Sequence, residues 1–194
     1  QDNAIIYEDK ANEQRESVRA YFLDFATRVS TSLDQIGIDL CEGDLMAMNP
    51  KWTHSLSHWK RNYESWIADA SQETAMKYST FFDCRAIYGE ENLLDELKGH
   101  MYKLVESAPE RFFVNLGYNA LQYEPPLTFF RRIRTEKIDG EKQFNLKHAM
   151  RTMVDLARVY ALRHQVQATN TSERIQSLQG KGVFSEAEGQ ELNH

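Results

Sequence analysis

Long apolar runs are what this sequence most plainly lacks. No stretch approaches the roughly 18–20 consecutive apolar residues that a membrane-spanning helix needs, which argues against a transmembrane segment. The start of the chain shows neither the basic nor the apolar region of a secretory signal peptide, so nothing in it indicates export. We therefore expect a cytoplasmic protein that has no membrane partner.

Cysteine and positive charge are also in short supply. Cys41 and Cys84 lie far apart and match no metal-ligand spacing, so two reduced thiols in a cytosolic protein are expected. The 23 Lys and Arg residues are outnumbered by 29 Asp and Glu, which gives a net charge of −6. Nucleic-acid-binding proteins usually carry a basic excess, and no nucleic-acid partner is expected.

The rest of the composition is that of a globular protein, with 41% apolar and 27% charged residues in a chain of 194. Residues 2–7 read as a strand that is apolar on both faces. Apolar side chains at steps of three and four from Val18 to Ile36 predict a helix that Gly37 ends. The segment 38–41 predicts a second strand, so the first fifty residues read strand, helix, strand.

The period of the apolar pattern changes after the Gly- and Pro-containing loop at 43–52, which is the predicted domain boundary. Apolar stripes then predict helices around 56–67 and 93–104. Trp59 and Trp66 lie seven residues apart on one face of the first of these helices. Both are therefore predicted to be core residues rather than ligand-stacking ones.

One hairpin is predicted among the later helices. Asp139 and Gly140 form a favoured turn dipeptide inside a segment, 132–146, that otherwise lacks a helical pattern. The predicted fold class is thus α+β and mostly helical, with a short α/β part over 1–50 and a helical part over 51–194.

Two carboxylates are candidate metal ligands. Asp2 lies at the head of the first predicted strand, and Asp39 lies in the second. Adjacent strands would bring both to one Mg²⁺, a hard cation that takes one or two carboxylates and completes its shell with phosphate oxygens and water. The alternatives are that Asp2 is a solvated turn residue and that Asp39 faces water on an edge strand.

Charged side chains elsewhere suggest further sites. Asp83 and Arg85 are predicted on the last turns of an aromatic-rich helix, either as a surface ion pair or at a domain interface. Residues 131–151 hold seven Lys or Arg against three acids, which suits a triphosphate or an acidic partner, or else a solvated hairpin. His54 and His58 are four residues apart on a predicted helix, but they lack further ligands nearby, so no zinc site is predicted.

Several motifs occur in a specific order along the whole chain. They are QDNAIIY at 1–7, CEGDLMAMNPKW at 41–52, SLSHWKRNYESWI at 55–67, FFDCRAIYGEENLLDEL at 81–97, PPLTFFR at 125–131, FNLKHAMRTMVDLARVYAL at 144–162 and ATNTSERIQSLQGKGVFSEAEGQEL at 168–192. Together they resemble a bacterial nucleotidyltransferase family that is associated with CBS and cyclic-nucleotide-binding domains. That family is distantly similar to protein-PII uridylyltransferase and to glutamine-synthetase adenylyltransferase.

The resemblance implies the C-terminal part of a polymerase-β-like nucleotidyltransferase domain, followed by a helical substrate-binding domain with one β-hairpin. It implies Mg²⁺-dependent transfer from a nucleoside triphosphate to an acceptor, which is a protein by analogy. Asp2 would be catalytic and a metal ligand, whereas the family often has a non-acidic residue in place of Asp39. Arg85, Lys147 and Asp83 would bind nucleotide or substrate.

The same resemblance leads us to expect a fragment. The Gly-Ser motif that holds phosphate in the family, and the first Asp of its metal pair, would precede Gln1. We expect such a fragment to be inactive by itself. The alternative is a non-catalytic module that relays signals from upstream CBS or cyclic-nucleotide-binding domains, and an oligomer is compatible with either reading.

Overall fold

A computed structural model of the chain describes residues 2–122, 136–138, 141–143, 146–185 and 187–189. For 136–138, 141–143 and 146–149 the description is limited to the backbone. The α-helices are α1 (Arg15–Gln35), α2 (Leu56–Asp69), α3 (Gln72–Tyr78), α4 (Glu91–Glu106), α5 (Glu110–Leu121), α6 (Leu146–Arg163) and α7 (Thr171–Gly180). The strands are β1 (Ile5–Tyr7), β2 (Thr53–Ser55), β3 (Glu136–Ile138) and β4 (Glu141–Gln143). The predicted α+β, mostly helical class is confirmed.

The first sheet joins β1 to β2 in parallel, with Ile5 opposite Thr53 and Tyr7 opposite Ser55. The predicted strand at 38–41 is wrong, because this segment has no regular structure and its Ile38 remains 42% exposed. An alternating pattern makes a strand only when one face is buried, and here neither face is. The strand beside β1 forms instead at 53–55, where Thr53 is completely buried.

The second sheet is the predicted hairpin. β3 and β4 pair antiparallel, with Glu136 opposite Gln143 and Ile138 opposite Glu141. The turn residues Asp139 and Gly140 lie outside the described residues.

The chain groups into two compact units. Unit 1 comprises Gln1–Glu64 and Ala86–Met101, and unit 2 comprises Ser65–Arg85 and Tyr102–His194. The two units are groups of residues that pack together and do not test the domain division. The predicted domain boundary near residue 50 therefore stays a prediction. No helix in the described part of the chain has the length and apolarity needed to cross a membrane.

The core of unit 1 forms around the aromatic side chains that follow β1 and β2. Trp59 is 2% exposed, and its indole Nε1 donates to the carbonyl oxygen of Ile5 at 2.9 Å. Tyr7 stacks on Phe22 of α1, with ring centroids 4.9 Å apart. The buried apolar residues of this unit are Ala26, Met46, Ala47, Trp52, Leu56, Trp59, Tyr63, Leu97 and Met101.

The core of unit 2 lies where α5 packs on α3 and α6, and where α6 packs on α7. Trp66, at the end of α2, stacks on Tyr78 with ring centroids 4.4 Å apart. The Asn170 side chain caps α7 by accepting from two backbone N–H groups of its first turn. Among the buried residues are Phe82, Val105, Phe112, Leu116, Ala120, Ala157, Ala161, Leu162, Val166, Ile175 and Leu178.

Candidate functional site

Asn3 ties the start of the chain to the loop before β2. Its backbone N–H donates to the carbonyl oxygen of Leu45 at 3.0 Å. Its side-chain Oδ1 accepts from the backbone N–H of Ala47 at 2.9 Å. Asp2, the predicted catalytic residue, shares a peptide bond with Asn3 and has an exposed side chain. The backbone of the predicted metal ligand is therefore held against residues 45–47.

The loop that receives Asn3 is itself held by buried groups. The hydroxyl of Thr53 donates to the carbonyl oxygen of Ala47 at 2.6 Å. The indole of Trp52 donates to the carbonyl oxygen of Asp44 at 2.8 Å, and the amide of Asn49 donates to the Asp44 carboxylate at 2.5 Å. Asp44 has a positive φ of 56°, a conformation that Asp tolerates better than most residues.

Asp39 does not share a strand edge with Asp2. It lies in the irregular segment after α1, is exposed, and is not on a strand that pairs with β1. The geometric reason for placing both carboxylates on one cation is thus lost, although no observation tests either residue as a ligand. Among the described residues, no group of three or more His, Cys, Asp or Glu side chains is arranged to hold a metal ion.

Asp2 alone nevertheless has the chemistry of a Mg²⁺ ligand. It offers an exposed carboxylate on an anchored backbone, next to the parallel strand pair. Mg²⁺ sites often use one or two carboxylates and take their remaining ligands from water and substrate phosphates. Asp2 would supply one such carboxylate, and its role as a metal ligand stays a prediction.

Two histidines, His54 and His58, lie together where β2 meets α2. His54 is in β2 rather than on the predicted helix, and its ring stacks on that of His58 with centroids 3.7 Å apart. Burial, assisted by the nearby His58 and the charge of Arg19, lowers the pKa of His54 to about 4. Burial and the charges of Arg61 and Arg19 also lower the pKa of His58. Two neutral imidazoles therefore pack together at neutral pH.

Asp9 caps the first turn of α2 from 48 residues away in sequence. Its carboxylate accepts from the backbone N–H of Ser57 at 3.1 Å and from the Ser57 hydroxyl at 2.5 Å. Burial raises the pKa of Asp9, but hydrogen bonds from Ser57 and Ser55 and the charge of Arg61 outweigh that effect, and the net pKa is lowered. This contact fixes the segment after β1 against the start of α2.

Asp83 lies at the end of a 3₁₀ turn that follows α3, and Arg85 lies in an irregular segment, so the prediction that both lie on the last turns of a helix is wrong. Its partner is not Arg85. The carboxylate accepts from Arg158 of α6 at 2.7 Å and from Arg174 of α7 at 2.5 Å. Arg158 also pairs with Asp155 at 2.8 Å. Asp83 is thus the centre of an ion network inside unit 2.

The other two predicted substrate-binding residues do not join this network. Arg85 is exposed and has no hydrogen bond or ion pair among the described residues. Lys147 lies in the first turn of α6, and its side chain is outside the described part. The side chains of residues 131–149 in the basic segment are also outside it. The roles of these residues stay predictions.

A cleft in unit 2 borders the ion network. Water-sized molecules can occupy about 20 Å³ of it, and it is partly open to solvent. Its polar lining comes from Ser79, Asn119, Asp155 and Arg158, and its apolar lining from Phe82, Leu116, Ala120, Val159 and Leu162. A space of this size holds about one water molecule, so it does not mark a small-molecule site.

Sequence reasoning singled out Asp83 but missed its partners Arg158 and Arg174, and it missed the contacts of Asn3. The Asn3 contacts span 42 and 44 residues, and the Asp83 contacts span 75 and 91. No local period or spacing signals such contacts. The one available signal was the position of Asn3 directly after the candidate metal ligand Asp2.

Comparisons with known proteins support a relation to nucleotidyltransferases. Residues 1–73 match the model of a family described as "Putative nucleotidyltransferase DUF294". Residues 110–194 match the model of a family described as "Putative nucleotidyltransferase substrate binding domain". The N-terminal match is thus to a nucleotidyltransferase model and the C-terminal match to a substrate-binding-domain model, in the order that the motifs predicted. No curated protein and no solved structure matched the chain.

Proposed function

We propose that the chain is part of a Mg²⁺-dependent nucleotidyltransferase, since it matches a nucleotidyltransferase model over residues 1–73 and a substrate-binding-domain model over residues 110–194. The donor is a nucleoside triphosphate, and the acceptor is a hydroxyl group, by fold-level analogy one on a protein. The observation that carries the proposal is the exposed carboxylate of Asp2 on a backbone anchored by Asn3 to residues 45–47. The setting is a cytoplasmic signalling protein with CBS or cyclic-nucleotide-binding domains.

The reaction forms a bond between the acceptor oxygen and the α-phosphorus and breaks the bond to pyrophosphate, and the hydroxyl proton passes to water. When bound, Mg²⁺ would neutralise charge on the triphosphate. In this proposal Asp2 supplies a carboxylate ligand to the ion. Arg85 and Lys147 are candidates for contacts to the donor phosphates or the acceptor.

Asp83 fits this proposal less well as a direct ligand for substrate. Two guanidinium groups already occupy its carboxylate, and its side chain is only 16% exposed. Its contribution would instead be to hold Arg158 at the border of the cleft in unit 2. Positioning of this kind supports binding without direct contact to the ligand.

The test uses the full-length gene product with labelled ATP, UTP, CTP or GTP, Mg²⁺ and a mixture of candidate acceptor proteins. Release of pyrophosphate and transfer of label are measured for the wild type, Asp2→Asn and Asp34→Asn. Asp2→Asn should abolish transfer and weaken Mg²⁺-dependent nucleotide binding with an unchanged melting temperature. Asp34→Asn, which changes an exposed carboxylate of α1 in the same unit, should leave both intact. Equal turnover and affinity in wild type and Asp2→Asn would refute the proposal.

The second candidate is a non-catalytic module that relays signals from upstream domains. The ion network favours it, because a predicted substrate residue, Asp83, serves to join α6 and α7 to the segment after α3. If the chain has this function, the assay should detect no transfer with any of the four nucleotides. Binding of partner domains should also be unchanged in Asp2→Asn.

A further inference from the structure

Asn3 makes a two-point contact with a single loop. The backbone N–H of Asn3 donates to Leu45 at 3.0 Å, and its side chain accepts from the N–H of Ala47 at 2.9 Å. The two contacts use different groups of Asn3 and reach residues two apart. A contact of this kind fixes both the position of the Asn3 backbone and its rotation about the chain direction.

The loop end of this contact is anchored in the core of unit 1. Ala47 is 4% exposed, and its carbonyl oxygen accepts from Thr53, which is 0% exposed. Trp52, 6% exposed, holds the carbonyl oxygen of Asp44 next to Leu45. Asn3 is therefore attached to buried structure rather than to a mobile surface segment.

We infer that Asn3 is a positioning residue for Asp2, an inference that rests on the proposed function. Asp2 and Asn3 share one peptide plane, and the hydrogen bond from the Asn3 N–H to Leu45 fixes that plane. The Asp2 carboxylate can then be redirected by rotation about the Asp2 Cα–C bond and about its own side-chain torsions, while the Asp2 Cα stays in place. A supporting shell of this kind commonly changes metal affinity by about 10- to 100-fold when it is removed.

The chemistry of the contact also explains why this position suits an amide. The Ala47 N–H is held at a buried residue and needs an acceptor, which an alanine at position 3 would not provide. An aspartate would keep the acceptor but would add a charge next to Asp2. Asparagine supplies the acceptor without altering the charge of the site.

The first measurement tests the contact independently of function. Amide hydrogen exchange is followed for Ala47 in the wild type, Asn3→Ala and Asn49→Ala. Exchange at Ala47 should accelerate at least about tenfold in Asn3→Ala. Asn49→Ala is the matched control, because Asn49 bonds to Asp44 in the same loop but does not bond to Asn3. Equal acceleration in both variants would overturn the inference.

The second experiment measures two quantities for each variant of the full-length gene product: Mg²⁺-dependent nucleotide binding and the melting temperature. Asn3→Ala should weaken binding by about tenfold or more, and Asn49→Ala should not, at similar losses of melting temperature. The inference is overturned if Asn3→Ala binds like the wild type while Asp2→Asn does not, an outcome that leaves the proposed function intact. If wild type and Asp2→Asn bind equally, the proposed function fails, and the inference fails with it.

Discussion

The carboxylate of Asp83 is shared by two arginines that lie 75 and 91 residues further along the chain. Arg174 is only 4% exposed, so its guanidinium depends on this partner and on the carbonyl oxygen of Ala168 at 2.7 Å. Buried ion pairs add little net stability compared with apolar packing, but removing one partner leaves an uncompensated charge. Asp83 therefore stabilises unit 2, whatever its role towards substrate.

Replacing Asp83 with Ala should lower the free energy of unfolding by about 3–5 kcal/mol. Urea unfolding monitored by circular dichroism measures this loss. Glu110→Gln is the matched control, because it disrupts the exposed pair between Glu110 and Arg163 in the same unit. Exposed pairs contribute little to stability, and the control should unfold close to the wild type. An equal loss in the two variants would show that Arg174 does not need Asp83.

His54 gives the protein an acid-sensitive residue in unit 1. Its ring is 8% exposed, stacks on His58 and has a pKa lowered to about 4. In the unfolded chain the pKa returns to about 6.5. Between these values the unfolded state binds more protons, so the free energy of unfolding falls as the pH drops from 6.5 to 4.

Replacing His54 with Phe keeps an aromatic ring that can stack on His58 but cannot take up a proton. The difference between the free energies of unfolding at pH 7.5 and pH 5.0 should therefore shrink by up to about 2 kcal/mol. Denaturant unfolding at the two pH values measures it. An unchanged difference would mean that His54 titrates alike in the folded and unfolded states.

At the scale of elements, apolar stripes predicted the helices well. The apolar stripe from Leu56 to Ile67 lies in α2, and the stripe from Leu93 to Leu104 lies in α4. Such stripes are local and repeat over several turns, so one sequence suffices to detect them. Trp59 and Trp66, at 2% and 7% exposure, confirm the predicted core positions.

The strands were predicted less well, because short strands depend on distant partners. The segment 38–41 alternates correctly but finds no partner, whereas the polar Thr-His-Ser of β2 pairs with β1. Thr53 can be buried because its hydroxyl donates a hydrogen bond to the carbonyl oxygen of Ala47. No local sequence pattern reveals such a partner. Because the segment 38–41 is not a strand, the reason for placing Asp39 beside Asp2 is also lost.

Trp66 tests the packing at the end of α2. It stacks on Tyr78, and its ring lies 5.6 Å from Phe81 and 6.5 Å from Phe82 between centroids. Truncation to Ala should cost about 3–5 kcal/mol in the free energy of unfolding, since a buried aromatic ring leaves a large cavity. Tyr88→Ala, at 92% exposure, is the control and should unfold like the wild type. A Trp66→Ala variant with an unchanged melting temperature would contradict the core assignment.

At the scale of the whole molecule, each unit has histidines whose pKa is lowered in the fold. They are His54 and His58 in unit 1, and His164 in unit 2, where burial and the charges of Arg163 and Lys181 lower the pKa. The His54 contribution belongs to unit 1 and is lost between pH 6.5 and about 4. The Asp83 contribution belongs to unit 2. Burial raises the pKa of Asp83, but the hydrogen bond from Arg174 and the charges of Arg158 and Arg174 lower it below the ordinary 3.8. This contribution is present above the unfolded pKa and is lost only as the pH falls through the lower folded value.

Of these histidines, His54 has the largest shift, to a pKa of about 4, so acidification should weaken unit 1 before the Asp83 network of unit 2. Hydrogen exchange with mass spectrometry, corrected for intrinsic rates, would follow peptides from β1 and β2 and peptides from α5 and α7 as the pH is lowered from 7 to 4. The strand peptides should lose protection at the higher pH, because protonation of His54 in the unfolded state begins near pH 6.5. In His54→Phe this early loss should diminish, while the α5 and α7 peptides keep their wild-type response. Earlier loss of protection in α5 and α7 would show that groups other than His54 set the acid limit of the fold.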